Sequence, residues 1–301
     1  MEMNQFYRAK EGPLVADYDI RMVALDLDGT VFNNQKEITP RTLAAIRAAL
    51  ERGVAVLPAT GRPLVGAPDE FLSIPGVEWV LTSNGGCVWR LAGRQPVVEL
   101  LFSPAQAVEV LGVLAEFDCT VDLFADGLAY TTEAHLARLQ TLVPPELLSY
   151  IRTSRHTVPD LAAFAAAGAR VEKFSCQFGT LAHRQPAWQK LAALGYEVTC
   201  SLGTNIEINA PGVTKGAALL ALAKHLGFAR EQVMACGDSD NDAAMLQAAG
   251  LGVAMGNADP ALKASADAVT ATNEEDGVAL ALSRYIPGVA EQLKQEGFAC
   301  D

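Results

Sequence analysis

The sequence predicts an α/β protein: a doubly wound parallel-sheet core interrupted by an inserted α+β domain. Three observations predict it. Short, continuously apolar strands alternate with amphipathic helices at both ends of the 301-residue chain. The middle loses that rhythm and carries alternating strands instead. Acidic, hydroxyl and basic residues recur just beyond strands, the edge at which open parallel sheets bind ligands.

Taken in order, residues 1–20 lack an apolar core and read as a tail. Arg21 to Leu27 is a buried strand by its Val and Leu content. Thr39 and Pro40 open a helix, as N-cap and first helical residue, with Leu43, Ile46, Ala49 and Leu50 on one face. Gly53 stops it, and Val54 to Leu57 and Trp79 to Thr82 are further buried strands. The inserted domain is expected over residues 87–209, with core segments at 21–86 and 210–301. Within it, Thr120 to Phe124 and Lys173 to Phe178 alternate as strands, and Pro104 to Phe117 and Arg184 to Leu194 pattern as helices. Glu197 to Asn209 reads as a hairpin turning at Leu202-Gly203. The first rhythm then returns: helix Lys215 to Leu226, strand Val233 to Cys236, helix Asp240 to Ala248, strands Leu251 to Ala254 and Ala268 to Thr270, then helical stretches.

Composition narrows the function. Half the residues are hydrophobic and the net charge is −12, so phosphate backbones repel the surface and no Lys/Arg cluster offsets this. Phosphorylated small molecules stay allowed, because a bound cation reverses the field inside one pocket. Six cysteines, at 87, 119, 176, 200, 236 and 300, show neither CxxC nor zinc spacing. They read as free thiols of a reducing compartment. The amino-terminal stretch has no leader-like apolar region and no apolar run spans a bilayer, which points to the cytoplasm.

Four groups of residues carry chemistry. Asp26 and Asp28, followed by Gly29 and Thr30, end the first strand, so one carboxylate can attack while the other moves a proton. Thr60-Gly61-Arg62 follows the second strand, where a hydroxyl and main-chain N–H groups can hold phosphate oxygens. Lys215 starts a helix and offers a point charge to the same anion. Gly237-Asp238-Ser239-Asp240-Asn241-Asp242 concentrates oxygen ligands at a strand end, which suits Mg2+. Each has an ordinary reading: a chance D-x-D, a strand-to-helix turn, a solvated lysine, an acidic helix cap. Their order along one sheet edge makes joint coincidence remote.

These residues resemble the haloacid dehalogenase superfamily of phosphotransferases. DLDGT (26–30), Thr60, Lys215 and GDSDND (237–242) are similar to its four motifs, over residues 21–285. ATGR (59–62), SNGG (83–86), INAPGVTKG (208–216), GNA (256–258) and TNEEDGV (272–278) resemble the Cof-type hydrolases, whose insertion is a large α/β cap on a Rossmann-like core. The resemblance implies Asp26 as nucleophile, Asp28 as general acid and base, and Thr60 and Lys215 as phosphoryl ligands. It implies Mg2+ held by Asp26, the Asp28 main-chain carbonyl and Asp238, with Asp242 orienting them and Asn241 near the phosphate or a metal-bound water. Gly29 and Gly61 would let the main chain approach the anion, and Arg62 and Asn84 would line the substrate entrance. The implied activity is hydrolysis of a small phosphomonoester, sugar phosphates first, then pyridoxal phosphate or flavin mononucleotide. A phosphomutase of phosphomannomutase type and a non-catalytic metabolite-binding regulator are the alternatives. The expected assembly is a monomer or weak homodimer, with no nucleic-acid or membrane partner.

Overall fold

The computed structural model describes residues 18–298 apart from 144 and 202. The expected tail falls mostly outside this range, as do Leu202 of the hairpin turn and Cys300. The chain forms two compact units, the first from residues 18–56, 74–77 and 223–298, the second from Leu57–Ser73 and Glu78–Leu222.

The first unit is built on a five-stranded sheet ordered Ala268–Val269, Leu251–Ala254, Val233–Gly237, Met22–Leu25, Ala55–Pro58. Met22–Leu25 runs parallel to Val233–Gly237, which runs parallel to Leu251–Ala254. Strand order reverses at Met22–Leu25: the chain first moves to one side of it and returns on the other. Such a switch point opens a crevice at the carboxyl ends of the two central strands. All four residues of Met22–Leu25 are buried, as a strand covered on both faces requires.

Helix Pro40–Glu51 starts as expected, its first turn closed by Thr39 accepting the Thr42 N–H at 3.1 Å. Its buried face differs from the expected stripe, comprising Thr42, Ala44, Ala45, Ile46, Ala48 and Ala49, with Leu43 and Leu50 only half-buried. The small side chains let this helix pack closely against Gly277–Tyr285 and Val289–Gln295. Tyr18 meets the Tyr285 ring edge-on at 5.5 Å, and Ile20 is buried, so the last part of the expected tail packs into the unit.

The second unit contains two antiparallel systems. Trp79–Thr82, expected in the parallel sheet, instead heads a three-stranded antiparallel sheet with Cys87–Arg90 and Gln95–Glu99. Its parallel pairing is reduced to one bridge, Ala59 to Leu81. The tight turn at 83–86 sends the chain straight back along Trp79–Thr82, which takes up that strand's hydrogen bonds. A six-stranded sheet runs Glu197–Thr199, Asn205–Asn209, Val171–Phe178, Cys119–Ala125, Leu128–Thr131, Arg155–Thr157. One face packs on helices Pro104–Leu114, Leu161–Ala166 and Leu181–Ala193 through Val121, Leu123, Phe174, Cys176, Ile206 and Ile208. The opposite phase carries Asp122, Lys173, Gln177, Asn205 and Glu207, all of them also buried. Among the described residues, no helix is long and apolar enough to cross a membrane.

Candidate active site

In the first unit the site grows from the ends of the two central strands. The Asp26 N–H donates to the Cys236 carbonyl at 3.0 Å, so Asp26 is still held by the ladder while its side chain leaves the sheet. The chain then folds sharply, with the N–H groups of Thr30, Val31 and Phe32 all directed at the Leu27 carbonyl. Gly29 sits at φ +89°, and a Cβ there would lie 2.4 Å from Asp238 Oδ2. Only glycine admits that close approach of main chain and carboxylate.

Asp238 follows the second central strand and receives the Thr30 hydroxyl at 3.2 Å. Asp242 is buried and accepts the main-chain N–H groups of Asp238 at 3.1 Å and Ser239 at 3.2 Å. Carboxylate oxygens of Asp26, Asp238 and Asp242 lie within 4.8 Å of one another. Three hard oxygen donors this close, two of them on buried residues, fit a divalent cation that offsets their mutual repulsion. Asn241, beside this group, accepts the Ser239 hydroxyl at 2.8 Å.

The Asp28 carboxylate stands apart from that trio. Its side chain is 43% exposed and pairs with Lys36 Nζ at 2.9 Å. Lys36 is in the left-handed region (φ +64°), in a turn closed by the Asn33 side chain, which accepts the N–H groups of Gln35 and Glu37.

The second unit assembles the remaining candidates. Thr60 is 3% exposed; its hydroxyl accepts the Arg62 N–H at 3.1 Å and its carbonyl the Asn84 N–H at 3.2 Å. The Arg62 carbonyl accepts from Ser83, so the 60–62 and 83–84 loops are stitched together. The Arg62 guanidinium lies 5.9 Å from the centre of the Tyr150 ring. Ser83, Asn84 and Gly85 are consecutive left-handed residues, a strained run that needs outside support. Glu172 accepts the Ser83 hydroxyl at 2.6 Å, and Asn209 donates to the carbonyls of Ser83 and Glu172. Burial raises the Glu172 carboxyl above its ordinary range, against the bonds from Ser83 and the Gly127 N–H. Gly85 presses on the turn before Lys215, where a Cβ would lie 2.2 Å from the Thr214 carbonyl. Lys215 itself, 1% exposed, begins the helix Lys215–Leu226.

Comparison with known proteins decides the family. The family pattern described as haloacid dehalogenase-like hydrolase matches residues 23–282, most of the chain. The chain belongs to the haloacid dehalogenase-like hydrolases. This hydrolase is 32% identical over 270 residues to 5-amino-6-(5-phospho-D-ribitylamino)uracil phosphatase YcsE of Bacillus subtilis, covering 90% of this chain and 97% of that protein. It is 30% identical over 275 residues to pyridoxal phosphate phosphatase YbhA of Escherichia coli, covering 86% and 96%. A haloacid dehalogenase-like hydrolase structure from B. subtilis superposes with a TM-score of 0.74 at 26% identity, covering 87% of this chain and 99% of that one. One from Bacteroides thetaiotaomicron gives 0.72 at 27%, covering 88% and 99%. The resemblance read from DLDGT and GDSDND, and the α/β fold expected with it, are borne out.

The sequence reading of this hydrolase missed Lys173, Glu207, Glu172 and Asn209, which brace the loops of the second unit. A signal was present. Lys173 and Glu207 sit on the polar phase of strands whose other phase is Phe174, Cys176, Ile206 and Ile208, and opposite charges on neighbouring strands are a pairing cue.

Proposed function

We propose that this hydrolase is a Mg2+-dependent phosphatase of small phosphorylated metabolites, acting through a phospho-aspartyl intermediate on Asp26. The observation that carries the reading is the meeting of Asp26, Asp238 and Asp242 at the switch point of the parallel sheet. Asp26, Asp238 and the main-chain carbonyl of Asp28 would hold the cation, with Asp242 fixing Asp238. When bound, Mg2+ supplies the positive charge that lets one anion approach another.

Asp26 attacks phosphorus, forming the acyl-phosphate bond as the ester oxygen leaves. Asp28 gives that oxygen its proton, then takes one from the water that attacks the acyl phosphate, releasing phosphate and restoring Asp26. The exposed position of Asp28 suits a group that must reach both substrate and water. Thr60 and Lys215 bind the transferred phosphoryl group, while Gly29, Gly61 and Asn241 flank it and Arg62 and Asn84 line the way in. A buried ammonium and a hydroxyl are well suited to a phosphate dianion.

The named relatives at about 30% identity act on a phosphoribityl-substituted uracil and on pyridoxal phosphate. Phosphomonoesters of ring-bearing metabolites therefore join sugar phosphates as the substrate class. The same reading has the enzyme work in the cytoplasm as a monomer or weak homodimer, without nucleic-acid or membrane partners; the five described cysteines are free thiols. The test is a panel of such esters with and without Mg2+. Metal-dependent release of phosphate, lost in Asp26→Asn by at least about 10³-fold, is the expected outcome. Full turnover in that variant refutes the mechanism, and isomerised product without free phosphate would make the enzyme a mutase.

A further inference from the structure

The loop that carries Thr60 is held by a buried ion pair. Lys173 is 1% exposed, and its Nζ lies 3.0 Å from Glu207 Oε1 and donates to the Gly61 carbonyl. Glu207 Oε2 accepts Asn84 Nδ2 at 2.6 Å, and Oε1 also accepts the Ser201 hydroxyl at 3.3 Å. The Phe124 ring closes another side of Lys173, its centre 5.0 Å from the ammonium. Gly61 is enclosed: a Cβ on it would lie 2.8 Å from Asn84 Oδ1 and 3.3 Å from Lys173 Nζ.

This arrangement is expensive for the fold. Burial lowers the Lys173 pKa, Glu207 opposes that shift, and the nearby charges of Lys215 and Arg155 add to it. An apolar pair of similar volume would stabilise the sheet as well or better. What such a pair could not do is grip a carbonyl. The gripped carbonyl belongs to the residue next to Thr60, and the same carboxylate holds Asn84, whose N–H is bonded to the Thr60 carbonyl.

We propose that Lys173, held by Glu207, is a positioning residue for phosphoryl binding, fixing the Gly61 peptide and with it the Thr60 hydroxyl and adjoining N–H groups. The proposal rests on the phosphoryl-binding role proposed for Thr60. It explains why a charged pair occupies the polar phase of two strands beside that loop, and why position 61 has no side chain.

The test replaces both charges together, Lys173→Met with Glu207→Gln, so that no buried charge is left alone. Binding of inorganic phosphate in the presence of Mg2+ is measured by calorimetry, alongside the melting temperature, kcat and KM. The expected result is a melting temperature at or above that of wild type, with phosphate binding and KM each weakened on the order of tenfold or more. In a Thr60→Val background the same pair should add almost no further loss. Wild-type phosphate affinity in the folded double variant overturns the proposal. So does a fully additive loss on top of Thr60→Val, which would make Lys173 a direct ligand. If the Met variant does not fold, Lys173→Gln with Glu207→Gln keeps an N–H donor for Gly61. It should bind phosphate like wild type, and a loss equal to that of Thr60→Val overturns the idea. Because phosphate binding is read without turnover, a wild-type protein that binds phosphate but cleaves no ester would sink the hydrolase reading alone.

Discussion

Asp242 Oδ2 accepts the main-chain N–H of Asp238 at 3.1 Å, so one buried carboxylate holds the main chain of a second acidic residue four positions earlier. Neither residue gains from this as an isolated pair of like charges. The arrangement is useful when Asp238 must point at something fixed.

Asp242→Ala should therefore injure the proposed cation site and the fold together. It removes an acceptor from two N–H groups, at about 1–3 kcal/mol for each left unsatisfied. The Mg2+ concentration for half-maximal turnover should rise about 10- to 100-fold. Thermal melts and a Mg2+ titration check both. Unchanged Mg2+ dependence would show that Asp238 needs no such guidance.

Gly29→Ala should act on the same carboxylate from the other side. Its left-handed backbone and the 2.4 Å approach to Asp238 leave no room for a methyl group. A loss of more than about 1 kcal/mol is expected, along with a smaller rise in melting temperature on adding Mg2+. A variant as stable and as responsive as wild type would contradict the geometry.

Chelation should destabilise the wild type more than Asp26→Asn. Three carboxylates within 4.8 Å repel in the absence of a cation, and removing one charge relieves that. Metal-free Asp26→Asn should melt above metal-free wild type. Mg2+ at a hundred times its Kd should stabilise the wild type by about 2.7 kcal/mol, narrowing or reversing the gap. Equal melting of the two chelated proteins would argue against a shared site.

Glu172 gives a pH signature. Its folded-state pKa is raised above the ordinary 4.5, chiefly by burial. The unfolded carboxyl ionises first, so this residue's contribution to stability is full below 4.5 and is lost as pH rises through the folded-state value. Glu172→Gln should remove that part of the slope, visible in denaturant midpoints measured from pH 4 upward. An identical slope in the variant would mean that Glu172 does not titrate differently on folding.

Local rules were legible wherever they acted alone. Thr39-Pro40 opens a helix, Lys215 to Leu226 is one, and Leu251 to Ala254 is a strand, because caps, helical periodicity and apolar runs are written in neighbouring residues. The acidic site was equally readable: Asp26, Asp238 and Asp242 stand at strand ends, and a parallel sheet gathers strand ends. Trp79 to Thr82 was legible as a strand but not in its partner, since pairing was settled by the left-handed turn at 83–85. Leu43 and Leu50 looked like core residues, yet the alanines on the other side of that helix are buried, since two further helices pack close to it. Lys173 and Glu207 carried a pairing cue, but their burial was not legible, because alternation assigns polar phases to solvent and only tertiary packing buries this one.

The pairing of Met22–Leu25 with Val233–Gly237 also governs how the protein is made. The amino-terminal strand leaves the ribosome apolar along its whole length; its neighbour on one side, Ala55–Pro58, follows soon after, but Val233–Gly237 on the other emerges some two hundred residues later. At about 5–20 residues per second, that is a wait of roughly 10–40 s with one edge of the strand lacking its partner. Over the same interval the six-stranded sheet of the second unit, whose strands lie between Cys119 and Asn209, emerges complete. Synthesis thus delivers the inserted sheet first, and the cluster of Asp26, Asp238 and Asp242 is assembled last.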